Sequence, residues 1–64
     1  VEMMMSDMQM MADQLPPGIF LQILRLMSQL DMEDMMFLHQ QIHMGGLMQQ
    51  PPGQILTFIL ELTR

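Results

Sequence analysis

Polar side chains recur at the start of the chain at Glu2, Ser6, Gln9 and Asp13, in steps of four, three and four, with Met4, Met8, Met11 and Leu15 on the opposite side. That spacing is the 3.6-residue period of an amphipathic helix, and methionine is among the better helix formers. The pattern predicts a first helix to about Gln14. Pro16 and Pro17 stop it, because the residue before a proline is pushed out of helical angles and proline has no backbone donor. The same pair suits the opening of a second helix, since proline fits the first helical position.

In that second helix Gln22, Arg25 and Gln29 form a wet stripe. Ile19, Phe20, Ile23, Leu24, Met27 and Leu30 form the dry face, widened by Leu21 and Leu26. So broad an apolar arc predicts a central helix, or one that touches two neighbours. Asp31 reads as the N-cap of a third helix from about Met32 to Met44, with Glu33 and Asp34 favourable to the dipole of its first turn. Gly45 and Gly46 offer the left-handed exit helices often use. On this helix Met35, Leu38, His39 and Ile42 group together, flanked by Met32, Met36 and His43. Phe37 falls on the other side among Glu33, Asp34, Gln40 and Gln41, and is expected to be an intermolecular contact.

After a connector from Leu47 to Gln50, Pro51-Pro52-Gly53 starts a fourth helix. Gln54, Thr57, Glu61 and Arg64 line one side of it, and Ile55, Phe58, Ile59 and Leu62 the other. The β-branched content would also suit a strand, but the helical placement of all four polar residues decides for a helix. "IFLQILRL" from Ile19 and "ILTFILEL" from Ile55 share I-x-x-x-I-L-x-L and set Arg25 and Glu61 at equivalent places. The predicted fold is all-α: a small bundle of four short helices in two helix-turn-helix pairs, one domain over residues 1–64, completed by self-association. A chain that opens on Val1 reads as a piece of a longer one.

Composition sharpens this picture. Half of the 64 residues are apolar and 14% are charged, against roughly 25% charged in an average soluble domain. A single core at this size is only marginally stabilising, and the absence of cysteine removes disulfides and thiolate metal sites. The surplus apolar surface is expected to go to a second copy of the chain, as a homodimer, or to another helical protein. The formal net charge is −5, and Arg25 and Arg64 are the only basic side chains apart from histidine. Phosphate neutralisation needs clusters of Lys and Arg, so neither nucleic acid nor an anionic membrane is an expected partner. The uncharged stretch from Met35 to Leu60 is long enough to suggest a membrane span, but "HQQIHMGGLMQQPPGQ" breaks it with amides, imidazoles, glycines and prolines. The start "VEMMMSDM" is acidic, unlike a signal peptide, and the default location is cytoplasm or nucleus.

Catalysis has little to rest on, and no enzyme is expected: Cys, Lys, Tyr and Trp are missing, Ser6 and Ser28 have no nearby histidine, and the carboxylates sit at helix starts and on wet stripes. His39 and His43 have the H-x-x-x-H spacing that puts two imidazoles on one helix face. A structural zinc site needs four ligands, and only a carboxylate from elsewhere in the chain or from a second chain could extend this pair. The expectation is therefore no metal and no cofactor, with one histidine partly buried and bonded to a backbone carbonyl and the other exposed. The twelve methionines are read chiefly as core and interface packing, methionine being an adaptable gap-filler. "MMMSDMQMM" resembles the methionine motifs of copper transporters, which implies a Cu(I) carrier as an alternative, and a methionine-rich groove for apolar peptide segments is another.

"LPPGIFLQIL" resembles the opening of an F-box, which implies a ubiquitin-ligase adaptor; past Leu24 the sequence departs from that pattern, and the chain has no tryptophan. The same opening is similar to helix starts in a subunit of cleavage stimulation factor, which implies an RNA-processing scaffold. The residue-level reading is an association module whose shared core comes from Ile19, Phe20, Ile23, Leu24 and Met27 on the second helix and Ile55, Phe58, Ile59 and Leu62 on the fourth, with Phe37 in addition.

Overall fold

The computed structural model describes the backbone of residues 2–64 and the side chains of residues 5–64. It is an all-α fold with helices α1 (Glu2–Gln14), α2 (Pro17–Met27), α3 (Met32–Met44) and α4 (Pro52–Leu62), and a single 3-10 turn (Leu47–Gln49) between the last two. The side chains of Glu2 and Met4, placed on the first helix's two stripes by the sequence pattern, lie outside the described residues.

Each Pro-Pro pair divides its labour in the same way. Pro16 and Pro51 are extended, with ψ of 143° and 149°, while Pro17 and Pro52 occupy the first helical position. The carbonyls of Pro16 and Pro51 accept the first helical bonds, from the amides of Phe20 at 2.9 Å and Ile55 at 3.2 Å. The missing donor of Pro17 and Pro52 therefore costs nothing at either start, because a backbone N–H at the first helical position has no intrahelical acceptor. At the other end of α2 the chain tightens: Gln29 and Leu30 donate to the carbonyls of Leu26 and Met27, three residues back. Leu30 still packs against the core beyond the helix.

Asp31 is extended, and its Oδ1 accepts from the Asp34 amide at 2.8 Å, as expected of an N-cap. The exit of α3 falls to Gly46, whose φ of 72° is the left-handed conformation. That turn sends Leu47 inward, where it is buried.

The core is built from Met11, Leu15, Ile23, Met27, Leu38, Ile42, Leu47, Ile55 and Ile59. The most extensive helix pairing is between α2 and α4, while α1 lies on α3 and also meets α2. The sequence reading pairs neighbours in the chain; in the structure the two most apolar helices, α2 and α4, pack directly on each other although α3 separates them in sequence. Ile23 on α2 and Ile55 and Ile59 on α4 are at most 1% exposed. The radius of gyration is 10.5 Å, against about 10.7 Å for a compact domain of this length. The accessible surface of 4433 Å² is likewise close to the roughly 4,200 Å² of an ordinary folded monomer of this mass. Among the described residues no helix is long and apolar enough to cross a membrane.

Candidate functional site

Helix α1 carries one acidic residue that does not join its wet stripe. Asp7 stands one turn before Met11, at the margin of the apolar side, and is 3% exposed. Burying a carboxylate is costly unless its oxygens are bonded, and here both are. His39 Nδ1 lies 2.6 Å from Asp7 Oδ2, and His43 Nε2 lies 2.5 Å from Oδ1. The H-x-x-x-H spacing brings both imidazoles of α3 to the same carboxylate, with ring centroids 4.4 Å apart and planes tilted by 49°. Among the described residues no buried side-chain polar atom is left without a partner.

The cluster lies between core and solvent. Behind it a void of about 10 Å³ is lined by Asp7, His39 and the side chains of Met11, Met27, Met35, Leu38 and Ile42. In front, the imidazoles are 25% and 41% exposed and open on a furrow along α3 shared with Met36 and Met44. Neither arginine shares the site: Arg64 faces Glu61 at 3.6 Å, and Arg25 lines a groove between α2 and α4.

His39 is half-buried and His43 exposed, as expected, but the bonding partner is corrected. Among the described residues neither ring is bonded to a backbone carbonyl; both hold Asp7, a third metal-competent group that the sequence pattern did not bring to them. The signal was present, since Glu2 and Asp13 fall on the wet stripe of the first helix and Asp7 does not.

The residues expected to form a shared core between chains fall into two groups. Ile23, Met27, Ile55 and Ile59 are buried within one chain, in its core. Ile19, Phe20, Leu24, Phe58 and Leu62 are half-buried. Phe37 is 43% exposed, yet its ring stacks on Phe58 of the same chain, so part of its surface already has an intramolecular partner.

Other apolar side chains are more open. Leu21 is 52% and Leu60 42% exposed, on α2 and α4, and Met5, Met32, Met36 and Met44 range from 64% to 80%. Gln22, Arg25, Leu26, Leu56 and Leu60 line a groove of about 230 Å³ between α2 and α4. Comparison of the chain with protein families, with curated proteins and with solved structures finds no match.

Proposed function

We propose that the domain is a non-enzymatic protein–protein association module, and that its partner is a second copy of the chain docked on the outer face of α2 and α4. The observation that carries this reading is the leucine groove of that face, with Leu60 at its edge and Leu21 exposed nearby on α2. Fully burying a leucine is worth roughly 1.5 to 3 kcal/mol, and covering Leu21 or Leu60, each about half exposed, roughly half of that. A few such contacts rival the whole stability expected of a domain this small.

A two-fold interface uses one patch twice and must complement itself. Arg25 lines the groove, and Glu61 follows Leu60 on α4. Across a two-fold axis the Arg25 of each copy can approach the Glu61 of the other, setting orientation more than affinity. The buried isoleucines of α2 and α4 then serve as the rigid platform beneath the contact. With two arginines and no lysine, phosphate-rich partners are not part of this reading.

Sedimentation equilibrium from micromolar to millimolar chain tests it. The expected result is a mass rising to that of a dimer, and a Leu60→Glu variant that stays monomeric with unchanged helicity. A wild-type chain monomeric throughout that range ends the reading.

The exposure of Met5, Met32, Met36 and Met44 supports a second reading. Flexible thioethers suit irregular apolar peptides, and soft sulfur suits Cu(I). In that case the chain is monomeric and its melting temperature rises with an apolar peptide, or it takes cuprous ion from a colorimetric competitor.

A further inference from the structure

We propose that Asp7, His39 and His43 form a mononuclear site for a divalent transition ion of the zinc class, clamping α1 to α3. The donor atoms are His39 Nδ1, His43 Nε2 and a carboxylate oxygen of Asp7, which all lie within 4.8 Å of one another. Two imidazoles and a carboxylate are a common protein ligand set for such an ion, with a fourth position left for water.

The geometry is close to what coordination demands. Bonds of roughly 2.0 to 2.2 Å in a tetrahedron hold the ligand atoms about 3.3 Å apart. The contacts of 2.6 and 2.5 Å must therefore open by less than about 1 Å, and the donor atoms farthest apart, within 4.8 Å of one another, must close by up to about 1.5 Å. Side-chain rotation supplies that movement, because both rings have solvent on one side. Each imidazole then binds through the nitrogen now facing Asp7 and carries its proton on the opposite ring nitrogen, while the carboxylate stays ionised.

Charge argues in the same direction. Asp7 is buried in a chain of net charge −5, and among the described residues no arginine pairs with it. A buried anion needs compensation, and a dication provides it directly. The ligand types narrow the ion. Nitrogen with oxygen and no thiolate suits Zn(II), Co(II), Ni(II) or Cu(II), whereas Mg(II) and Ca(II) prefer oxygen alone and Cu(I) prefers sulfur. His43 is the more exposed ligand and borders the furrow along α3, which gives an ion its way in.

The site lies within one chain and is independent of self-association. Co(II) is the first probe, because a tetrahedral site gives visible absorption bands. Bands saturating at one ion per chain and bleached by Zn(II) are expected. Free zinc at a hundredfold excess over Kd should raise the melting temperature by roughly 10 to 20 °C, reversed by a chelator. His43→Gln, at a half-exposed position, should keep its helicity by circular dichroism and lose both responses, and His39→Gln should do the same. Four results overturn the proposal: no bands and no zinc-dependent shift in the wild-type chain, saturation only at millimolar ion, one ion per two chains, or responses retained in both histidine variants.

Discussion

Phe37 and Phe58 stack across α3 and α4, their ring centroids 5.9 Å apart and their planes 22° from parallel. An aromatic on the polar side of α3 thus has a partner within its own chain. Offset aromatic pairs contribute about 0.5 to 1.5 kcal/mol beyond area burial, and the 43% exposure of Phe37 places this pair toward the lower end. A double-mutant cycle of Phe37→Ala and Phe58→Ala in urea should give a coupling of that size, equal at low and high protein concentration. Coupling that appears only at high concentration would reassign Phe37 to an intermolecular contact.

The helices were legible in the sequence because their signals are local. Pro16-Pro17, Asp31, Gly45-Gly46 and Pro51-Pro52 mark the boundaries through backbone chemistry that needs no tertiary partner, and helix α3 follows its expected bounds to the residue. The pairing of α2 with α4 and the Phe37 stack were not legible, since periodicity shows which face is apolar but not which neighbour covers it. Asp7 was half legible. Its departure from the wet stripe can be read from the sequence, whereas its meeting with histidines 32 and 36 positions away depends on how α1 lies on α3.

Ile23 and Ile59 are fully buried on α2 and α4, so either one truncated to alanine leaves a cavity at the centre of the domain. Such changes cost about 2 to 5 kcal/mol, a large part of the roughly 3 to 10 kcal/mol expected for a chain of this length. Each variant should melt at least ~10 °C below wild type by circular dichroism. Leu21→Ala, at a half-exposed site, is the control and should change stability by less than about 1 kcal/mol in dilute solution.

The cap of α3 is the one helix start held by a side chain among α2, α3 and α4. Removing the Asp31 carboxylate leaves the Asp34 amide to water and takes a favourable charge from the helix N-terminus. Asp31→Ala should cost about 1 kcal/mol, and Asp31→Asn much less because the amide oxygen still accepts. Urea midpoints for the two variants check this, and equal losses would mean that charge rather than the hydrogen bond is what matters.

Glycine substitutions should have opposite signs at different helix ends. Gly18 and Gly53 follow the proline at the first position of α2 and α4, and a Cβ added at either meets nothing within 4 Å. Alanine there restricts the unfolded chain without straining the folded one, and should stabilise by about 0.4 to 1 kcal/mol at each site. Gly46 also has space, its nearest neighbour being Gln49 Oε1 at 3.9 Å, but its φ is 72°. A Cβ in that conformation crowds the following carbonyl and costs roughly 1 to 2 kcal/mol. Gly46→Ala should therefore lower the melting temperature while Gly18→Ala and Gly53→Ala raise it. Since open space is common to all three, only the backbone angle separates them, and a stabilised Gly46→Ala would mean that α3 does not leave through a left-handed turn.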